Sequence, residues 1–424
     1  MTTHVSPAMI AGRTQAPASK SHTIRALLIA SLASGISRVD KPLESDDATS
    51  CVDTCRALGA TLTWNEESAY YIVEGVAGRP IAPADVIDVG NSGTTLYLAM
   101  SAAGLAEGTT TFTGDEQIQR RSAEPLLQSL NDLGATTVSQ AGTGCAPITV
   151  TGRLYGGTTS IECPTSQYLS SLLLACPLAD GDTEINVPLL WERPYVDMTL
   201  WWLDRQGIRY TRDGYERFAI PGGQRYSSFR TDVPGDYSSA TFLFVAAAIT
   251  GGTVTVTELH PDDPQGDRAV LNVLEQLGCE VSWPRRTQVT VKGPGYGELA
   301  GGEFDLNATP DALPALAVLG AACRGPLSLR NVPQARQKET DRVAVMAAEL
   351  GRLGIDVDEF EDGLTVHPGR LRGGEVHGHG DHRVVMALAV AGLAAETGVS
   401  VDTAERASVT YPGFFETLER LAKR

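Results

Sequence analysis

The chain has 424 residues, 42% of them hydrophobic and 20% charged, which is the balance of a soluble globular protein with room for two or three domains. Its 34 basic and 51 acidic side chains leave a formal charge of −17, which excludes nucleic acid and anionic membrane as partners. No stretch approaches the roughly 20 apolar residues of a membrane span. A small anionic substrate stays open, because a local cluster of Arg and Lys can dominate one cleft. The N-terminal run MTTHVSPAMIAGRTQAP has no basic region followed by an apolar core, so no secretory leader is read and the cytoplasm is the expected compartment. Seven cysteines, an odd number in a large chain, fit a reduced protein better than a disulfide framework. Cys51 and Cys55, four apart on a helix face with no second pair nearby, read as buried thiols.

Six copies of one pattern run end to end. Each has a β-rich run, a polar turn and an apolar helix closed by glycine. The glycines are Gly35, Gly108, Gly181, Gly252, Gly325 and Gly398, spaced by 73, 73, 71, 73 and 73 residues. A period this regular marks duplication of one supersecondary unit. The second copy shows the unit best. A strand VIDV leads to the turn GNSGT, a helix from about Thr95 to Leu105, a strand TTTFTG, an amphipathic helix SAEPLLQSLNDLG, and two short strands, TTVS and PITVTG. Second helices stop in the same way at Gly59, Gly134, Gly207, Gly278 and Gly354. Each copy therefore reads β-α-β-α-β-β.

The first helices are apolar nearly all round (LLIASLA, LLLACPLA, LFVAAAI, ALAVLGAA, VVMALAVAGLAA) and belong inside a domain, with sheets outside them. The sixth copy ends in the helix FFETLERLAKR without closing strands, while HVSPAMIAG is a β-like run ahead of the first copy. The N-terminus is therefore expected to complete the C-terminal half, with crossings near Gln15 to Ala18 and Thr231 to Gly235. This predicts an α/β protein of two domains, three repeats each: residues 1–14 with 232–424, and an inserted domain 15–231. The active-site cleft is expected between them.

Function is to be sought in the turns before the helices. The first, ASKSHTIRALL, puts Lys20 and Arg25 where the helix dipole disfavours cations, beside Ser19 and Ser21. It lacks the leading glycine of a phosphate-binding loop, so a P-loop NTPase is excluded. The second, Gly90 to Thr95, is small and polar and allows close backbone approach, although capping accounts equally well for Asn91 and Ser92. Gln119-Arg120-Arg121 then places cations at a helix entrance. The third, Thr165-Ser166-Gln167, is a row of uncharged hydrogen-bonding groups. The fourth, around Asp236, reads as an ordinary cap. In the fifth, Asp311 reads either as an N-cap or as a general base at the start of a buried helix. The sixth, Gly380-Asp381-His382-Arg383, carries another ill-placed cation. His377, His379 and His382 lack the spacing of a metal site. The densest cluster, Arg336 to Arg342, is expected to open a helix with Lys338 and Arg342 on one face and Glu339 beside them.

The strings ASKSHTIRALL, GNSGTT, PTSQYLSSLLLA, RPYVDMTL, TPDALPALAVL, KETDR and GDHRVVMALA stand in the order found in the 5-enolpyruvylshikimate-3-phosphate synthases, which the whole chain resembles. That family's fold is a two-domain inside-out α/β barrel of six β-α-β-α-β-β units. The resemblance implies transfer of an enolpyruvyl group from phosphoenolpyruvate to the 5-hydroxyl of shikimate 3-phosphate, with release of phosphate. It implies no cofactor and no metal, and a monomer is expected. Shikimate 3-phosphate contacts carry over to Lys20, Ser21, Arg25, Thr165, Ser166, Gln167, Tyr195, Asp311 and Lys338. Phosphoenolpyruvate contacts carry over to Lys20, Gly93, Arg121, Gln167, Arg342 and Arg383. Asp311 and Glu339 would move protons, assisted by Lys20.

Four anionic groups meeting in one cleft need several fixed cations, and Arg forks suit both carboxylate and phosphate. The family's pattern also implies inhibition by glyphosate, with Gly93 as the sensitive position. Tyr97, Glu192, Gln334 and Val409 stand where members usually have Arg, Ser, Asn and Lys, and bear on affinity and fine geometry. Two other readings are a UDP-N-acetylglucosamine enolpyruvyl transferase, whose loop cysteine FTGDEQIQRR lacks, and a non-catalytic binder of a phosphorylated metabolite.

Overall fold

A computed structural model describes residues 1–423. The chain divides into two compact units, a terminal unit of Met1–Pro17 with Pro234–Arg424 and an inserted unit of Ala18–Val233. Each has its own hydrophobic core.

The inserted unit holds three four-stranded sheets. Their strand orders are Arg230–Asp232, Ile36–Asp40, Tyr70–Glu74, Thr61–Asn65; then Ile87–Asp88, Gly108–Thr113, Ile148–Gly152, Thr136–Ser139; then Gly157–Cys163, Thr183–Leu190, Arg217–Ile220, Thr211–Asp213. In each sheet the first pair is parallel and the others antiparallel; in the second and third sheets a helical crossover joins the parallel pair, and in all three the last two strands form a hairpin. Its helices are α1 (Lys20–Leu32), α2 (Asp46–Ala57), α3 (Gly93–Ala103), α4 (Glu124–Asp132), α5 (Ser166–Ala175) and α6 (Arg193–Arg205). Helices α1, α3 and α5 are buried on nearly every face, and α3 packs against both others. Helices α2, α4 and α6 bury one side only. The strand Gly157–Cys163 alternates exposed and buried residues, because one sheet face meets water and the other the helices.

The terminal unit repeats the plan with α7 (Tyr237–Thr250), α8 (Val270–Gln276), α9 (Leu313–Ala321), α10 (Arg342–Arg352), α11 (His382–Gly392) and α12 (Phe414–Leu421). Here α9 and α11 are wholly buried, α7 is buried in all but its last residue, and the three touch one another. The assembly is the inside-out α/β fold, built from six related units. Among the described residues no helix is long and apolar enough to cross a membrane.

The two crossing segments each pair within the unit they leave, with partner strands that the repeat pattern did not reveal. Met9–Gln15 runs into α1, yet it pairs in parallel with Thr253–Thr257, the strand after α7. Arg230–Asp232 runs toward α7 but pairs in parallel with Ile36–Asp40, the strand after α1. Each crossing segment thus serves as the leading strand of the unit it is leaving. The sixth repeat is closed by Thr3–Val5, antiparallel to Val399–Val401. The C-terminal helix stops at Leu421, and Ala422–Lys423 pairs with Met9 and Ile10 instead of continuing the helix.

The periodic glycines also need correction. They do not close the first helices but stand at the entry to the next strand. A side chain at Gly252 would put its Cβ 1.8 Å from the Ile10 carbonyl oxygen, so glycine is required by close strand approach. The second-helix glycines are true stops. After α2, Gly59 is left-handed (φ 103°), its N–H donates to the Arg56 carbonyl, and that of Ala60 to Cys55. The same pair of bonds recurs at Gly134, Gly207, Gly278 and Gly354, a Schellman motif five times over.

Candidate active site

In the inserted unit, Ser19 caps α1 and leaves Lys20 as the first helical residue, where its ammonium pairs with Asp47 at 3.1 Å. One turn on, the fully buried Arg25 is held by oxygens without formal charge. Nε donates to Thr199 Oγ1 at 2.9 Å, Nη1 to the Ser21 carbonyl at 3.1 Å, and Nη2 to the Tyr195 carbonyl at 3.2 Å and Ser170 Oγ at 3.4 Å. Burial brings its pKa down to about 10, still charged at neutral pH. One guanidinium therefore ties Ser21 and Tyr195 to α1, α5 and α6 and keeps a positive charge there.

Thr165 caps α5, its Oγ1 accepting from the Gln167 N–H at 3.5 Å and from Gln167 Nε2 at 3.2 Å. Gly93 is the first residue of α3, capped by Ser92, and a Cβ built on it would lie 2.8 Å from Arg121 Nη1. Gly93 thus leaves the room in which the Arg121 fork sits. Arg121 lies just after a 3-10 turn (Ile118–Arg120) and ahead of α4, not at a helix entrance. Arg120 points to solvent and pairs with Glu116. Asn91 is no cap; its Nδ2 donates to Asp115 and Gln117 and so braces this loop.

In the terminal unit the structure gathers Asp311, Glu339, Arg342 and Arg383 around one buried guanidinium. Arg342 donates from Nη1 to Asp311 Oδ1 at 2.7 Å, from Nη2 to Glu339 Oε2 at 2.6 Å, and from Nε to Asp381 Oδ2 at 2.8 Å. Arg383 reaches the other Asp311 oxygen at 2.9 Å through Nη2, and donates from Nη1 to Ser238 Oγ at 2.6 Å. Burial alone would push the Asp311 carboxyl up, but Arg383, Arg342 and Lys338 outweigh it and hold it far below the usual carboxylate range. Burial likewise opposes the charge on Arg342, and Asp381, Glu339 and Asp311 reverse it, so its pKa is raised.

Several expectations change here. Asp311 is not an N-cap: it lies inside a 3-10 turn, Pro310–Ala312, whose cap position is Thr309, and Ala312 stands at the cap of α9. Lys338 and Arg342 do not share a helix face, because Lys338 is extended and α10 begins at Arg342, capped by Asp341. The fourth turn is more than a cap, since Ser238 holds Arg383. Asp381 was missed as a site residue, although its place after Gly380 made it the natural cap of α11. It accepts from the Arg383 N–H at 2.8 Å while also clamping Arg342. Asp47 carried no sequence signal.

Of the departing positions, Tyr97 is buried edge-on against Tyr168, with ring centres 5.1 Å apart. Gln334 is buried and donates to the Asn307 carbonyl, and Val409 is buried. His377 bonds Asp402 and His379 bonds Glu349. Among the described residues no group of three or more His, Cys, Asp or Glu is placed to hold a metal ion. All seven cysteines are free and buried.

In each compact unit buried helices open with fixed cations, hydroxyls or clamped carboxylates, the groups that can meet small anions. The model of the EPSP synthase (3-phosphoshikimate 1-carboxyvinyltransferase) family matches residues 5–418, and the chain belongs to that family. It is 51% identical over 409 residues to the 3-phosphoshikimate 1-carboxyvinyltransferase of Acetivibrio thermocellus, covering 96% of this chain and 95% of that one. It is 44% identical over 427 residues to that of Methanocella arvoryzae, covering 100% and 99%. The solved EPSP synthase of Acinetobacter baumannii superposes with a TM-score of 0.82 at 26% identity, covering 99% and 98% of the two chains. The enolpyruvyl transferase NikO of Streptomyces tendae shares the fold, with a TM-score of 0.79 at 20% identity, covering 100% of this chain and 97% of that one.

Proposed function

We propose a division of labour among these residues for the reaction of the family. The chain transfers the enolpyruvyl group of phosphoenolpyruvate to the 5-hydroxyl of shikimate 3-phosphate, giving 5-enolpyruvylshikimate 3-phosphate and phosphate. The step serves the shikimate pathway to chorismate and the aromatic amino acids.

In the inserted unit Lys20, Ser21, Arg25, Thr165, Ser166, Gln167 and Tyr195 hold shikimate 3-phosphate, joined by Asp311 and Lys338 from the terminal unit. Phosphoenolpyruvate is taken by Lys20, Gly93, Arg121 and Gln167, with Arg342 and Arg383. The observation that carries this reading is the buried Arg342, held by Asp311, Glu339 and Asp381, with Arg383 on the other oxygen of Asp311. Addition moves the 5-hydroxyl proton to a carboxylate and forms a C–O bond between the 5-oxygen and the enol carbon, while the vinyl carbon takes a proton. Elimination returns that proton and breaks the bond to phosphate. Asp311 and Glu339 carry the protons, and Lys20 supplies a cation or acid near the leaving phosphate.

In the free protein Asp311 is a weak base because two guanidinium groups hold it. When substrate anions engage Arg342 and Arg383, that positive field is shared and the proton affinity of Asp311 rises. Binding and activation of the base are thereby coupled. No cofactor enters this scheme. Free thiols suit a reducing compartment, and we place the enzyme in the cytoplasm as a monomer, which light scattering checks.

Phosphate release is measured with phosphoenolpyruvate and either acceptor. Turnover with shikimate 3-phosphate and none with UDP-N-acetylglucosamine is the expected result. Release with the nucleotide sugar, or binding without release, would overturn the assignment.

A further inference from the structure

Glu192 stands at the N-cap of α6 yet makes no capping bond to that helix. Its backbone is left-handed (φ 59°, ψ 40°), a region that non-glycine residues seldom occupy, and it is only 2% exposed. The side chain reaches across to α5. One oxygen, Oε2, accepts from Ser166 Oγ at 3.0 Å, the Ser166 N–H at 3.2 Å and Thr165 Oγ1 at 3.3 Å. Two hydroxyls and the first N–H of a buried ten-residue helix thus converge on one carboxylate oxygen. That is the donor set a phosphate oxygen seeks at a helix N-terminus. An unusual backbone held in place by such contacts is a mark of function.

We infer that Glu192 is an internal anion seated in the subsite for the phosphate of shikimate 3-phosphate, and that it sets how tightly this substrate binds. The inference rests on the assignment of Thr165 and Ser166 to that phosphate. A carboxylate and a phosphate dianion cannot both take the same three donors, and their like charges repel at that range. Substrate must displace the carboxylate, so binding shikimate 3-phosphate includes breaking three hydrogen bonds to Glu192. Glu192 is therefore a specificity-determining residue. It disfavours weak phosphate ligands, inorganic phosphate among them, that lack the further contacts needed to evict it.

The test is steady-state phosphate release by the full chain and its Glu192→Ser, Glu192→Gln and Ser166→Ala variants, with inorganic phosphate as competing ligand. Glu192→Ser is expected to lower the KM for shikimate 3-phosphate at least fivefold and to strengthen inhibition by inorganic phosphate by a similar factor. Glu192→Gln moves both the same way, and the KM for phosphoenolpyruvate shifts less than twofold in either variant. Glu192→Gly, which suits the left-handed backbone, gives the same result should the serine variant fold poorly. An unchanged or raised KM for shikimate 3-phosphate in the folded variants overturns the inference. Ser166→Ala separates the two levels: it must raise that KM, and if it does not, the assignment of the subsite itself falls.

Discussion

Arg342 and Asp381 meet in a fully buried two-point ion pair, Nε to Oδ2 at 2.8 Å and Nη2 to Oδ1 at 3.2 Å. The pair joins the first residue of α10 to the cap of α11, and so sets the guanidinium that Asp311 and Glu339 share. Removing one partner leaves the other buried and uncompensated. Asp381→Asn is expected to lower stability by about 3 kcal/mol and to raise the KM for phosphoenolpyruvate. Urea unfolding and steady-state kinetics check both, and a variant as stable as the parent would show the pair to be dispensable.

Asp311→Ala is expected to bind both substrates and to lose about 10²–10⁴-fold in kcat, the range of a positioned proton carrier. Calorimetric titration and phosphate release separate binding from turnover. Near-normal kcat would remove Asp311 from the chemistry.

The acid limb of stability carries the same signature. Asp311 and Asp381 both have pKa values depressed in the folded state, so the unfolded chain binds more protons than the native one at low pH. Their contribution is present above the unfolded value of about 3.9 and is lost as the pH falls below it. Between pH 5 and 3 the parent should therefore lose more stability than Asp311→Asn, which has one such carboxylate fewer. Equal slopes in denaturant titrations at several pH values would contradict the charge clamp.

Ser238→Ala removes one neutral partner of Arg383 and leaves its contact with Asp311. A hydrogen bond to a charged group contributes about 1.5–3 kcal/mol. The KM for phosphoenolpyruvate should rise roughly tenfold, with a smaller change in kcat. A fall confined to kcat would place Ser238 elsewhere in the reaction.

Gly93→Ala would place a methyl carbon 2.8 Å from Arg121 Nη1, the end of a flexible side chain, so the fork should move and the fold should hold. Expected are a melting temperature within a few degrees of the parent and a several-fold rise in the KM for phosphoenolpyruvate. Inhibition by glyphosate should weaken more than substrate binding does. Equal glyphosate sensitivity in the two proteins would contradict this.

Much of this protein is legible along the chain because its signals are local. Five Schellman glycines, the buried helices and the hairpin tails need only neighbours a few residues away. The seven ordered motifs likewise marked Lys20, Gln167, Asp311 and Arg383 before any coordinate. What stayed hidden depends on contacts between distant segments. Gly252 looked like a helix stop because its real constraint, the Ile10 carbonyl, lies 242 residues away. Ser238 looked like part of a cap because its bond to Arg383 spans 145 residues.

The sequence by itself determined the repeat, the two-way crossing of the chain, and the residue types at each helix start, since each follows from local periodicity and chemistry. Only the tertiary structure decided which strands pair across the crossings and which carboxylates clamp Arg342. It also decided that Glu192 sits on the donors of α5. Those outcomes depend on burial: once water is excluded, every charge and donor must find a partner in space, and spacing along the chain does not say which.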